Sequence, residues 1–424
     1  MAEVWRELWS EILKRIPAKE LGKCICVCKI WYSLILSPKF IASHTKFHQT
    51  HLNFLLRSFT KPSLAESGVE SYHFSSDSEE ISGLFNKGSI LPFKTGVGLN
   101  FRVVGCVNGV VFLADTQFGN RYSFYLWNPL IKKHIKVPKP RIVFDVVGPY
   151  MHVFGFGYDS KTQDLKVVRV SHIQLNSGLD EIPPKAEVYS AKLGVWRWVF
   201  ADDVTTCIAE DIWSQCFLQG CVHWVGFDRK DESDSSFKNN CLLVFDVEEE
   251  KFRKMELPLA LLEVCPIVLE VSEFKGLLSM IQYKRNGDGF EMWIQKEYDV
   301  IDSWSKVLSV DFDEPKLLKV LRWRPNGEVL AQTFEGELVS YNPDTKNMIT
   351  IRDDGMFAAF YACAFTESLF FLEKDCESKR TVRLEEDDTI CNEDGNSSSL
   401  DTIRVRMGKA FVILNQMIKF RREF

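Results

Sequence analysis

The chain has 424 residues, of which 46% are hydrophobic and 26% charged, so it can bury a large core and is too apolar for a disordered protein. Its formal net charge of −6 lacks the basic surplus that nucleic-acid binders carry. The N-terminus has acidic residues where a secretory signal is apolar, and no run reaches the roughly 18 apolar residues of a membrane helix. We therefore expect a soluble, intracellular protein of the cytoplasm, the nucleus or both.

The first 45 residues have the pattern of a small helical module. Apolar residues recur about every four positions before a proline ends the first helix: Leu8, Ile12, Leu13, Ile16 and Pro17. The pattern then predicts a second short helix over Ala18–Lys23 and a third over about Cys24–Leu36, which ends at Ser37-Pro38.

Two groups of possible metal ligands occur here, three cysteines within the module and three histidines at or just beyond its end, namely His44, His48 and His51. Cys24, Cys26 and Cys28 are separated by one residue each, whereas structural zinc pairs usually have two to four residues between the cysteines. We therefore predict buried thiols, no metal and no cofactor. The sequence also contains no G-x-S-x-G or H-E-x-x-H pattern, so no catalytic residue is predicted.

From about residue 100 the chain is a succession of short strands rich in Val, Phe, Trp and Tyr, with a degenerate repeat. Each unit has an aromatic anchor before a turn, and the anchors lie about 48–62 residues apart, close to a kelch-type blade: Trp127, Tyr189, Phe245, Trp293 and Tyr341. Such sheets bury their faces by stacking radially, which predicts a propeller. A sixth unit would combine Phe357–Leu372 with strands near residues 52–75. The alternative is an irregular β-sandwich.

Residues 4–43 resemble the F-box motif, which has a Leu-Pro start, an acidic helix ending in Leu-Pro, and then Val-Cys-Lys-x-Trp. Three segments match this motif in the same order, namely Glu7–Pro17, Val27–Trp31 and Ser33–Phe40. Val4-Trp5 stands where the family has Leu-Pro.

Residues of about 100–345 resemble the F-box-associated interaction domain of plant F-box proteins. The matching stretches, in family order, are 105–109 (GCVNG), 126–129 (LWNP), 154–159 (FGFGYD), 164–168 (DLKVV), 188–190 (VYS) with 196–197 (WR), 223–224 (HW), 245–246 (FD) with 251–252 (KF), and 296–298 (KEY) with 303–306 (SWSK).

The resemblance implies a mainly β protein with a small α module. It has a three-helix F-box over residues 1–45 and a kelch-like β-propeller over residues 50–372. The acidic residues 373–424 are expected to be a disordered tail in which a short C-terminal helix is an option. The F-box would bind the Skp subunit of a Skp–cullin–F-box ubiquitin ligase, and the propeller an unidentified protein marked for degradation. The chain would then be a non-catalytic adaptor without nucleic-acid or membrane partners. The alternative is a kelch-like propeller enzyme or a small-molecule-binding protein.

The same resemblance places the Skp-binding residues on the apolar positions of the F-box. They are Leu8, Ile12, Leu13, Ile16, Pro17, Leu21, Val27, Cys28, Trp31, Leu34 and Ile35. A module of about 40 residues is too small to hold a good core alone, so some of these positions pack internally while others face the partner. The sequence does not separate the two groups. For the substrate, the loops of interest are Val170–Pro184, Asp228–Asn240 and Arg285–Gly289.

Overall fold

The structure of the protein, a computed structural model, describes residues 2–48, 53–60, 68–76, 91, 101–115, 123–141, 150–173, 184–200, 207–209, 215–228, 240–284, 287–312, 317–355 and 358–371. Within these ranges a helical module precedes a ring of antiparallel sheets. The tail predicted over residues 373–424 lies outside the described residues.

The helical module contains α1 (Ala2–Leu13), α2 (Ala18–Cys24), α3 (Lys29–Ile35) and α4 (Pro38–His48). The third helix is shorter than the sequence predicted. It starts at Lys29 because Cys28 is extended, with φ −159° and ψ 162°, and its Sγ accepts a hydrogen bond from the backbone N–H of Trp31. Pro38 was expected only to end α3. It also begins α4, since proline is well suited to the first turn of a helix.

The strands form six sheets. The chain first enters β1 (Asn53–Thr60) and β2 (Val69–Ser76). The first blade then comprises β3 (Phe101–Val107), β4 (Val110–Asp115), β5 (Phe124–Asn128) and β6 (Lys133–Val137). The second blade comprises β7 (Tyr150–Asp159), β8 (Asp164–Ile173), β9 (Lys185–Ser190) and β10 (Val195–Val199).

The third blade comprises β11 (Cys207–Ala209), β12 (Cys216–Leu218), β13 (Cys221–Asp228), β14 (Asn240–Asp246) and β15 (Lys251–Glu256). Its inner strand is divided, since β11 and β12 both pair with β13. A single-turn helix, α5 (Leu259–Leu262), leads to the next blade. The fourth blade comprises β16 (Leu269–Phe274), β17 (Leu277–Tyr283), β18 (Gly289–Gln295) and β19 (Trp304–Asp311). The fifth blade comprises β20 (Leu317–Trp323), β21 (Val329–Thr333), β22 (Glu337–Asn342) and β23 (Asn347–Asp353).

The sixth blade joins the two ends of the ring, as the sequence predicted. The last strand within the described residues, β24 (Ala359–Phe365), pairs antiparallel with β1, so that Asn53 lies opposite Phe365. β1 pairs in turn with β2. Contacts between the inner strands of neighbouring blades include β3 with β7, β12 with β16, β20 with β24, and β24 with β3. The β-propeller expected from the repeat is therefore confirmed, with six blades.

The repeat has a simple structural basis. Each aromatic anchor lies in the third strand of its blade, and four of the five are buried, Trp293 being half-buried beside an irregularity in the register of β18 and β19. The tight turn between β3 and β4 uses Asn108 and Gly109, both at positive φ (48° and 71°), which suits the twist of a two-residue hairpin.

Buried ion pairs tie the second blade to the third. The Lys166 ammonium lies 2.6 Å from an Asp159 carboxylate oxygen and 2.7 Å from a Glu250 carboxylate oxygen, and it donates to the carbonyl of Val247 at 2.9 Å. Burial alone would raise the pKa of Asp159, but hydrogen bonds from Lys166 and Thr162 outweigh it and lower that pKa to about 2. The carboxylate is therefore ionised throughout the physiological range.

The antiparallel order of each blade gives the propeller two different faces. First-to-second and third-to-fourth turns lie on one face, hereafter the turn face, and second-to-third and blade-to-blade connections lie on the other, the loop face. Leu130 and Ile131, in the turn between β5 and β6, pack against the apolar core of the helical module, so this module sits on the turn face. The three segments predicted as substrate loops connect second to third strands and therefore leave from the loop face. Each includes residues outside the described ranges.

Candidate functional site

The helical module has a small core of its own. Its buried side chains come from all four helices and the connections between them: Leu13, Ala18, Leu21, Leu34, Ile35, Leu36 and Phe40. Trp9 of α1 meets Trp31 of α3 edge to face, with ring centroids 5.1 Å apart. These contacts hold α1 against α3 and leave one side of each helix in solvent.

The exposed side of α1 is unusually apolar for a solvent-facing surface. Trp5, Leu8 and Ile12 are 59%, 50% and 46% exposed, and their spacing places them along one side of the helix. Around the start of α3, Val27 and Ile30 are each 64% exposed, and Tyr32 is also exposed. Large apolar side chains exposed to solvent are typical of surfaces that a partner covers. We call these six residues the F-box apolar surface.

The structure divides the eleven sequence-predicted contact residues into three groups. Leu8, Ile12, Pro17, Val27 and Cys28 are exposed. Ile16 and Trp31 are half-buried. Leu13, Leu21, Leu34 and Ile35 are buried in the core of the module. The buried four have a folding role here, and contact with a partner stays a prediction for all eleven.

Sequence reasoning missed three residues of this surface, namely Trp5, Ile30 and Tyr32. Trp5 was noted only as a departure from the family pattern, and the other two were not placed on any face. Ile30 lies in the first turn of α3, two residues after the helix cap Cys28, and its side chain is exposed. The predicted helix start at Cys24 was wrong, since α3 begins at Lys29.

Two buried histidines of α4 hold the end of α1. His44 Nε2 donates to the carbonyl of Ile16 at 3.0 Å, and His48 Nε2 donates to the carbonyl of Lys14 at 3.1 Å. Their rings lie 4.3 Å apart. Burial lowers the pKa of His44 to about 4. Both carbonyls lie just after α1, where helix carbonyls lack partners within the helix, so the two imidazoles satisfy them.

The cysteines of the module do not form a metal site with the histidines. The prediction of buried thiols was wrong for Cys26 and Cys28, which are exposed, whereas His44 and His48 are buried. Among the described residues, no group of three or more His, Cys, Asp or Glu side chains could hold a metal ion. Nor does any helix within those ranges have the length and apolarity needed to cross a membrane.

Comparison with known proteins identifies both parts of the chain. A family model of the F-box domain matches residues 6–43, and one of the F-box associated beta propeller domain matches residues 63–371, well over half of the chain. The chain belongs to the F-box proteins with an F-box-associated β-propeller. An F-box domain implies binding to the Skp1 subunit of a Skp–cullin–F-box ligase, and F-box proteins are typically non-catalytic adaptors.

The curated relatives of this F-box protein match most of its length. An F-box/kelch-repeat protein of Arabidopsis thaliana is 26% identical over 343 residues, which cover 79% of this chain and 86% of the relative. The F-box protein CPR1 of Arabidopsis thaliana is 28% identical over 380 residues, covering 83% and 85% of the two chains. Among solved structures, TolB from Acinetobacter baumannii matches with 7% identity and a TM-score of 0.34, covering 71% of this chain and 69% of that one.

Proposed function

We propose that this F-box protein is the substrate-recognition adaptor of a Skp–cullin–F-box ubiquitin ligase. In this role the F-box, residues 1–45, docks on the Skp subunit, and the propeller, residues 50–372, recruits a target protein for ubiquitination and degradation. No residue of the chain needs to touch the reacting bond, because the adaptor acts by raising the local concentration of the target. The activity belongs to the cytoplasm, the nucleus or both, where the ligase acts.

The observation that carries the proposal is the F-box apolar surface. Trp5, Leu8 and Ile12 form a stripe on one helix, which suits docking of that helix in an apolar groove. Leaving such side chains in water forgoes about 1.5–3 kcal/mol for each residue that a partner would bury. Trp5 is the strongest candidate for a dominant contact, because tryptophan carries the largest apolar area.

The placement of the F-box supports a role for the loop face in binding the target. The F-box core already packs with Leu130 and Ile131 on the turn face, so a second protein has more free access to the loop face. Two second-to-third connections that leave this face, from β8 to β9 and from β13 to β14, are each 11 residues long, and loops on a rigid scaffold are where binding residues concentrate.

The test is binding of the full chain to a purified Skp subunit, with two matched substitutions. Ile12→Asp places a charge in the F-box apolar surface, and we expect the affinity to fall at least 30-fold, because a carboxylate buried in an apolar contact costs at least about 2 kcal/mol. Leu259→Asp is the control. Leu259 is 86% exposed in α5, on the propeller, so the same change should leave Skp affinity unaltered.

Both variants should retain the thermal unfolding of the unmodified chain, since both sites are exposed. Equal Skp affinities for the unmodified chain and Ile12→Asp would exclude this surface as the docking site. A chain that binds no Skp subunit at all would exclude the adaptor function.

A further inference from the structure

After β24 the chain remains in contact with both the propeller and the F-box. Residues 366–371 cross the turn face between the F-box and the first two blades, and we call this segment the strap. Its side chains and backbone contact both parts of the protein, as the following contacts show.

On the F-box side, the strap completes helix α2 and the core. The backbone N–H of Ala18, at the start of α2, donates to a Glu367 carboxylate oxygen at 2.9 Å. The residue in the N-cap position is Pro17, whose side chain makes no capping hydrogen bond. Glu367 therefore supplies the missing acceptor and a negative charge at the positive end of the helix. Leu369 is fully buried within the F-box core.

On the propeller side, the strap is held by Asn128 at the end of β5. This side chain is fully buried, and its amide Nδ2 donates to the Ser368 carbonyl at 3.0 Å, to the Ser368 hydroxyl at 3.3 Å and to the Phe370 carbonyl at 3.1 Å. Farther along, the ring of Phe370 meets that of Tyr158 in the second blade, with centroids 5.7 Å apart.

Contacts therefore alternate along the strap, with residues 367 and 369 facing the F-box and residues 368 and 370 facing the propeller. We propose that the strap fixes the orientation of the F-box relative to the loop face, with Glu367 and Leu369 as positioning residues; this rests on the proposed adaptor function. An adaptor that delivers its target by proximity gains from such a fixed geometry, because effective concentration falls when the two ends of a tether move independently.

Lysine cross-linking of the full chain bound to a purified Skp subunit tests the proposal, with mass spectrometry as the readout. In the unmodified chain, Lys19 and Lys23 of α2 should link to Lys132, in the turn that packs against the F-box, and to Lys133, the first residue of β6. Glu367→Ala should reduce these links several-fold and spread them to lysines of other blades. Skp affinity should stay within about threefold, since the substitution lies outside the F-box apolar surface.

A second pair of variants provides a matched control within the repeat. Asn128→Ala removes the propeller anchor of the strap and should redistribute the cross-links as Glu367→Ala does. Asn342 occupies the same place in the fifth blade, before a proline at the end of a third strand, and it caps its own turn by accepting from Asp344 and Thr345 N–H, each at 3.0 Å. Asn342→Ala should leave the cross-links unchanged.

The outcomes separate a positioning role from a purely structural one. An unchanged cross-link pattern in Glu367→Ala overturns the proposal. So does loss of Skp binding with the remaining links unmoved, because that result would mean that Glu367 only stabilises α2. If the unmodified chain does not bind the Skp subunit, the adaptor function fails, whereas the same comparison in the free chain still decides whether the strap fixes the F-box.

Discussion

Mild acid should destabilise this protein through two buried histidines, one in each part of the chain. His44 of the F-box is buried, its Nε2 donates to the Ile16 carbonyl, and burial lowers its pKa to about 4. His223 of the third blade is also buried. Its Nδ1 donates to the Cys216 carbonyl at 3.1 Å, its Nε2 accepts from the Tyr298 hydroxyl at 2.8 Å, and burial lowers its pKa to about 4.

The sign of the effect follows from which state binds the proton. An unfolded histidine has a pKa of about 6.5, so below that pH the unfolded chain takes up protons that the folded chain excludes. The stability contributed by each neutral histidine is complete above pH 6.5 and is lost as the pH falls towards 4. Each histidine accounts for a loss of about 2 kcal/mol between pH 7 and pH 5, and about 3 kcal/mol in total.

Urea denaturation at a series of pH values measures this loss. His44→Gln and His223→Gln replace the imidazole with an amide that can still donate to the same carbonyl but does not titrate. Each variant should lose about 2 kcal/mol less than the unmodified chain between pH 7 and pH 5. If the F-box unfolds in a separate transition, His44→Gln should change the pH dependence of that transition alone. Identical pH dependence in the unmodified chain and in both variants would refute the reasoning.

Two further predictions concern the propeller. Lys166→Met should lower the free energy of unfolding by about 3–5 kcal/mol in urea titrations, because it leaves the buried carboxylate of Asp159 without its cation. Lys306→Met is the control: it removes an exposed ion pair with Glu291 and should lower the free energy of unfolding by at most about 1 kcal/mol. Equal losses in the two variants would contradict this prediction. A chain that ends at residue 355 lacks β24, so β1 keeps β2 but loses its partner on the inner side and the ring stays open. This chain should show no cooperative unfolding by circular dichroism, and a sharp transition at the original temperature would show that ring closure is dispensable.

The propeller was largely predictable because its signal is local and repeated. Five blades carry an aromatic anchor in the third strand, buried in four of them, so Trp127 and its counterparts mark the period in the sequence. Closure of the ring by β24 and β1 followed from the same period, since two incomplete units were left at the ends of the repeat. The start of α3 was less predictable. The thiol of Cys28 acts as the helix cap, and the apolar sequence pattern continues through the turn that precedes the helix.

The contacts of the F-box could not be read from the sequence for a different reason. Apolar residues such as Leu8 and Leu13 look alike in a helical pattern, yet one is half exposed and the other is fully buried. Which of them packs inward depends on which residues pack against the F-box core. One of these residues is Leu369, which is far from the F-box in the sequence. The hydrogen bond from Ala18 to Glu367 spans 349 positions, and no local pattern reports such a contact.

The packing of propeller and strap residues against the F-box also determines how the adaptor function is best tested in cells. Deleting residues 1–45 would expose Leu130, Ile131 and Leu369, which are packed against the F-box, and would leave an apolar patch on the turn face. A truncated propeller that aggregates or binds nonspecifically for that reason would be mistaken for one that has lost its target. Ile12→Asp avoids the difficulty, because it alters an exposed side chain and leaves the F-box core and the strap in place. The full-length Ile12→Asp chain is therefore the better variant for capturing targets. A target should accumulate when this variant is expressed and should be depleted when the unmodified chain is expressed. Degradation of such a target depends on docking to the Skp subunit, and the difference is not caused by a damaged propeller.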